Sequence, residues 1–322
     1  MAEMNLVQAV NSGLKCAMSD DESVVVLGED VGVDGGVFRA TEGLLKQFGK
    51  NRVMDTPLAE SGIIGVCIGM AVAGLRPVPE IQFSGFLYMA FDQLINHAAR
   101  IRTRSRGSLT CPMVVRTPYG GGIRALEHHS ESMEALYAHI PGLKVVIPSS
   151  PYDAKGLLIS AIKDNDPVIF MEPSRLYRAV KEEVPEGSYT VPLGKAKVVK
   201  GGNAVTVISW GSMLQQTKLA IGHTDVDVEL IDLRTLKPLD VDAIVTSVKK
   251  TGRCVVVQEA PRTGGLASEI IALINEHALG SLQAPVARVT GFDTVFPLYK
   301  LEEHYLPSAE RIVNAIEATV NY

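Results

Sequence analysis

The chain has 322 residues, 46% of them hydrophobic and 21% charged, with a formal net charge of −5. That is enough chain for about two domains with sizeable cores, and it excludes a disordered polymer or a protein drawn to nucleic acid by bulk positive charge. Cys16, Cys67, Cys111 and Cys254 form no CxxC pair, so the chain is expected in a reducing cytoplasm, without a zinc site or disulfide framework.

The N-terminus lacks a basic region followed by an apolar core, so no signal peptide is expected. Residues 5–19 have the apolar spacing of an amphipathic helix, and Val24-Val25-Val26-Leu27-Gly28 reads as a buried strand. The acidic, glycine-rich loop 29–36 follows. It has no GxGxxG and no Gly-Lys-Ser/Thr, so a turn or a partner-facing loop competes with phosphate binding there.

Asp55-Thr56-Pro57-Leu58-Ala59-Glu60-Ser61-Gly62 places one carboxylate at the mouth of an apolar run that continues to Gly74. Thr56-Pro57 reads as a helix start, because proline suits the first helical position. Glu60 then either complements the positive helix end or shares a proton with a bound heterocycle. The run 63–74 is too short to cross a bilayer, and no membrane contact is expected. Gly65, Gly69, Ala71, Ala73 and Gly74 leave one side nearly bare. That implies close helix packing, either within the chain or against a second one.

Residues 78–83 read as a strand and 86–100 as a helix with Leu87, Phe91, Leu94 and Ile95 on its inner face. Arg100, Arg102, Arg104 and Arg106 follow at alternate positions without interleaved aromatics. This fits a salt-bridged or subunit-contacting face better than a nucleic-acid patch. A strand at 113–116 leads to Tyr119-Gly120-Gly121-Gly122 and then Glu127-His128-His129-Ser130. Three glycines let a loop lie close to a ligand, while adjacent histidines point apart and have no third metal ligand at suitable spacing. A strand at 143–148, a helix capped by Ser150 and running to about 163, and a strand at 168–171 complete a strand–helix alternation. Such alternation means a mostly parallel sheet with helices on both faces. Charges with Pro and Gly at 181–193 read as a linker between an α/β domain at 1–180 and a second at 194–322. The second has strands at 205–209, 227–232 and 254–258 and helices at 267–277 and 309–320.

Several marks together resemble one family. They are Leu58-Ala59-Glu60-Ser61-Gly62-Ile63-Ile64-Gly65, Phe91-Asp92-Gln93-Leu94-Ile95-Asn96, His129-Ser130, Pro141-Gly142-Leu143-Lys144-Val145-Val146, and Val257-Gln258-Glu259 with Gly264-Gly265. Essentially the whole chain resembles the beta subunit of the thiamin-diphosphate-dependent, decarboxylating component of 2-oxo acid dehydrogenase complexes. Glu80-Ile81-Gln82-Phe83 and Glu172-Pro173-Ser174-Arg175-Leu176-Tyr177-Arg178 resemble the branched-chain members more than the pyruvate members.

The resemblance implies a pyrimidine-binding domain followed by a transketolase-type C-terminal domain. It also implies two alpha and two beta chains with thiamin diphosphate at their interface. No Gly-Asp-Gly occurs in this sequence, so the Mg²⁺-diphosphate ligands are expected from the alpha subunit. Carried over by position, Glu60 hydrogen-bonds the pyrimidine nitrogen para to the amino group, Phe86 stacks on that ring, and Leu58 and Gln82 line the pocket. His129 faces the substrate side and serves acyl transfer to the lipoyl group of the next enzyme, the lipoyl acyltransferase. His128 stands where relatives commonly carry Tyr or Gln. A structural K⁺ is implied at Met113, Ala161, Ile162, Asp164 and Asp166, with Asp166 in place of the usual Asn and expected to strengthen the site or to admit another cation. The rivals are a pyruvate dehydrogenase subunit, the C-terminal half of a split transketolase, and a non-catalytic scaffold subunit.

Overall fold

Short runs that are apolar at every position can be buried on both faces, and here they pair in parallel. The computed structural model describes residues 1–322. The first part runs β1 (Ala2–Asn5), α1 (Leu6–Asp20), β2 (Val24–Gly28), α2 (Leu44–Phe48), β3 (Val53–Asp55), α3 (Glu60–Val72), β4 (Arg76–Glu80), α4 (Ile101–Arg104), β5 (Val114–Tyr119), α5 (Glu134–Ala138), β6 (Lys144–Val146), α6 (Pro151–Lys163) and β7 (Val168–Pro173). The chain continues through β8 (Lys181–Val184), β9 (Lys197–Lys200), β10 (Val205–Ser209), α7 (Ser212–Ile221), β11 (Val228–Asp232) and β12 (Thr235–Lys237). It ends with α8 (Val241–Thr251), β13 (Cys254–Val257), α9 (Leu266–Ala278), β14 (Ala287–Val289), α10 (Glu302–Tyr305) and α11 (Ala309–Val320).

One sheet has seven strands in the order β12-β6-β7-β5-β4-β2-β3, parallel except for β12. The other has five, β14-β13-β10-β11-β9, parallel except for β9. This is the expected α/β class. One core packs under α1 and α6, a second under α7 and α11, and a third runs continuously from Ile63 and Tyr119 to Trp210 and Ile274.

Local chemistry sets the helix ends. Asn5 and Gln8 form a reciprocal capping box on α1, and Ser150 caps α6 ahead of Pro151. Lys155 of α6 is fully buried, which its ammonium tolerates by donating to the carbonyls of Pro185 at 2.6 Å and Glu186 at 2.9 Å.

Four features depart from the sequence reading. The helix expected from Thr56-Pro57 starts only at Glu60, because the Thr56 N–H donates to the Gly28 carbonyl and prolongs the pairing of β2 with β3. The helix expected over 86–100 is a succession of tight and wide turns. A 3₁₀ segment spans Ser84–Ala90, a π-turn Gln93–His97, and a second 3₁₀ turn Ala98–Arg100. Leu87, Ala90, Leu94 and Ala98 are buried, while Phe91 and Ile95 are only half-buried. The segment read as a linker begins with β8, which pairs antiparallel with β1. Finally, β12 leaves the second half to edge the first sheet beside β6. All four cysteines are free, and no helix is long and apolar enough to cross a membrane.

Candidate active site

Ligands of open parallel sheets sit beyond the carboxyl ends of the strands. Here those ends present Glu29 and Asp30 after β2, Asp55 at the end of β3, Gln82 and Phe83 after β4, and the loop 120–132 after β5.

Glu60 is the first residue of α3, preceded by Ala59, which makes no side-chain cap. It is 8% exposed. Ile63, Ile64, Cys67 and Ile68 of the same helix are buried beside it. Nearby, Thr56 Oγ1 is buried without a partner. Glu29, which the sequence reading treated only as a loop acid, is held protonated more readily than usual. Burial is the main cause, followed by the charges of Glu60 and Asp30. Leu58 is 77% exposed, an apolar side chain standing free at the mouth.

Gln82 donates to Asp30 at 3.2 Å, joining β4 to the acidic loop. Phe86 meets Phe83 at 5.9 Å between centroids and His129 at 5.1 Å, both edge-on. Phe83, read in the sequence only as part of a strand and of a resemblance, is nearest to His129 at 4.4 Å. Its signal was the spacing of Phe83, Phe86 and Tyr88, which encircle the histidine pair. His129 Nδ1 lies 2.8 Å from the Glu127 carbonyl, which fixes the ring orientation. His128 has a left-handed backbone, φ 70°, and its Nδ1 lies 3.6 Å from Glu131.

The links fall into two groups, Glu29 with Glu60 and Phe83 with Phe86 and His129, with Gln82 tied to Asp30. Glu60, Gln82, Phe86 and His129 line neither the 580 Å³ cavity around Lys237 and Leu266 nor the 270 Å³ cavity around Tyr88 and Phe296. The chemistry of these groups, a buried carboxylate at the head of an apolar helix and an aromatic cluster around a histidine, is of the kind an aminopyrimidine ring takes.

The set expected to hold K⁺ is gathered in one place, and its groups already make hydrogen bonds and ion pairs within the chain. The Ile162 and Asp164 carbonyls accept from Arg76 Nη1 at 2.8 and 2.9 Å. The Ala161 carbonyl accepts from the Asp164 N–H at 3.1 Å, and that of Met113 from the Val168 N–H at 2.9 Å. The Asp164 carboxylate meets Lys144 Nζ at 2.5 Å, and that of Asp166 meets Arg102 Nε at 2.7 Å. Lys144 and Arg102 neutralise the two carboxylates and Arg76 occupies two of the carbonyls, so the set fits an added cation poorly. The Arg102 ion pair on the Asp166 carboxylate weighs against the expectation that Asp166 strengthens a K⁺ site.

Residues 2–180 match the model of the transketolase pyrimidine binding domain, and residues 194–312 match that of the transketolase C-terminal domain. The fold also matches the solved structure of a split-gene transketolase, an inactive beta4 tetramer. The TM-score is 0.80 at 21% identity, covering 99% of this chain and 98% of that one. The two domain matches and the fold thus define a transketolase-like chain.

The pyruvate dehydrogenase E1 component subunit beta of Acholeplasma laidlawii is 53% identical over 315 residues, 97% of this chain and 96% of the relative. Its namesake from Staphylococcus epidermidis is 52% identical over the full length of both chains. The chain belongs to the family of beta subunits of the decarboxylating component, E1, of 2-oxo acid dehydrogenases, whose cofactor is thiamin diphosphate.

Proposed function

We propose that this chain, joined to an alpha subunit in an α₂β₂ assembly, carries out the oxidative decarboxylation of pyruvate and passes the acetyl group to the lipoyl group of an acyltransferase. The observation that carries the substrate is the set of relatives 50–53% identical over 97–100% of this chain, named for pyruvate dehydrogenase. They outweigh the short segments that suggested a branched-chain substrate. Four free cysteines suit work in the cytoplasm.

Bound thiamin diphosphate supplies an acidic thiazolium carbon and an electron sink for decarboxylation. Glu60 holds a proton at the pyrimidine nitrogen para to the amino group, and Phe86, Leu58 and Gln82 orient that ring. His129, fixed by the Glu127 carbonyl, orients or protonates the acyl acceptor. The diphosphate and its Mg²⁺ fall to the alpha subunit. The bare face of α3 is the natural seat for a second chain. Within this chain a side-chain carbon at Gly69 meets nothing within 4 Å, and at Gly62 and Gly65 only ordinary contacts at 3.6 and 3.7 Å.

Co-expression with an alpha-type subunit and decarboxylation assays over several 2-oxo acids test the proposal. The expected result is a kcat/KM for pyruvate at least about tenfold above that for 3-methyl-2-oxobutanoate. Preference for the branched acid overturns the substrate, and turnover by the beta chain alone overturns the shared site.

A further inference from the structure

We infer that Glu259, in the C-terminal domain, is a positioning residue for acyl transfer, holding both feet of the loop that carries His129. The inference rests on the reading of His129 as the residue serving that transfer.

Glu259 lies just beyond the carboxyl end of β13 and is 2% exposed. Its Oε1 accepts from the Gly121 N–H at 2.5 Å, where the loop leaves β5. The same oxygen accepts from Ser132 Oγ at 3.2 Å, where the loop returns. Its Oε2 accepts from Ser212 Oγ at 2.6 Å, which anchors the carboxylate to the first residue of α7. The Gly120 N–H donates to the Glu131 carbonyl at 3.1 Å and closes the loop at its base.

The loop needs such a clasp. Arg124 and His128 both hold left-handed backbones, with φ 56° and 70°, although neither is glycine. Strain of this kind persists only where the surroundings over-determine the conformation. The glycines show how close the clasp sits. A side-chain carbon at Gly120 would lie 2.8 Å from Glu259 Oε1, and one at Gly121 would overlap the Phe296 ring at 2.1 Å. Only bare backbone fits between β5 and the second domain.

A buried carboxylate that accepts three hydrogen bonds from two domains does more for the loop than packing alone. Removing it frees the Gly121 N–H and two hydroxyls at once and lets the His129 ring wander. Misplacement by about 1 Å can cost about 100-fold in rate.

The test uses the reconstituted heterotetramer and separates two readouts: decarboxylation with an artificial electron acceptor, and reductive acetylation of a lipoyl domain. Glu259→Ala is expected to slow acetyl transfer about tenfold or more while changing decarboxylation less than about threefold. Glu259→Gln, which keeps an acceptor oxygen for Gly121, is expected to restore most of the transfer rate. In combination with His129→Ala, Glu259→Ala is expected to add nothing, because both act through one ring. If Glu259→Ala prevents assembly, Ser132→Ala, which cuts only the returning foot, carries the same test. Equal losses in both readouts, an additive double variant, or unchanged transfer overturn the inference. Unchanged transfer in His129→Ala alone overturns instead the reading of His129.

Discussion

Glu60 stands at the positive end of α3 with no side chain before it to cap the helix. Its two roles differ in size. As a complement to the helix dipole it contributes about 0.3–1 kcal/mol of stability and nothing to turnover. As the group that moves a proton at the pyrimidine ring it contributes about 100- to 10,000-fold in rate. Glu60→Gln in the heterotetramer is therefore expected to lower decarboxylation by about 100-fold or more with little change in melting temperature. Unchanged turnover returns Glu60 to the dipole role and favours the scaffold reading of the chain. Glu60 was legible in the sequence because one carboxylate at the head of an apolar run has few ordinary explanations. Glu29 was not, since its environment arises only when the end of β2 is brought beside the start of α3.

At the scale of elements, α3 and the C-terminal end of α6 lead to opposite expectations about what is missing. The glycine face of α3 is open in this chain, and Gly69 is exposed with room for a side chain. Gly69→Ala should stabilise the isolated chain by about 0.5–1 kcal/mol, because glycine is a poor helix former. Gly69→Leu should leave the isolated chain folded yet block assembly with an alpha subunit, as sedimentation would show. Normal assembly of Gly69→Leu would leave the face to solvent.

At the end of α6 we expect no added cation, since Lys144 and Arg102 hold the two carboxylates and Arg76 holds the carbonyls of Ile162 and Asp164. Melting of the beta chain in potassium chloride and in choline chloride of equal ionic strength should agree within about 1 °C. Lys144→Met should cost only about 1 kcal/mol, because its ion pair is partly exposed. A rise in melting specific to K⁺ would restore the expected metal site. The buried strands were readable because two-faced burial leaves continuous apolar runs. The three residues of β12 carry no such run, and the turns at 84–100 follow from which residues must face the core rather than from local preference.

Over the whole molecule, the two domains meet across a polar seam sunk in a shared core. Trp210 Nε1 donates to Glu134 at 3.3 Å, and Ser149 Oγ donates to Asp232 at 2.9 Å. Arg234 reaches back to Asp153 at 2.9 Å, and Glu259 joins Gly121, Ser132 and Ser212. This seam was not legible beforehand, because each partner lies far off in sequence and is ordinary in its own segment.

Burial pushes Glu134 up to about 7, helped by the charge of Glu259 and opposed by its backbone hydrogen bond and Trp210. It pushes Asp232 to about 7 as well, helped by Asp153 and opposed by Ser149 and Arg234. Both acids titrate near 4 when unfolded, so between about pH 4 and 7 the folded state binds more protons than the unfolded one. Their contribution is complete below that window and is lost as pH rises through it, by an amount on the order of a few kcal/mol. Asp21 and Glu229 are shifted downward, so their contributions change only below the window. Melting temperature should fall between pH 5 and 8 on this account. Glu134→Gln keeps an acceptor for Trp210 but cannot ionise, so it should flatten the fall even if it melts lower at pH 5, where an unpartnered amide replaces an unpartnered oxygen. A slope unchanged by Glu134→Gln would mean that solvent or a rearranged seam relieves the buried charge, and that domain docking does not depend on its protonation.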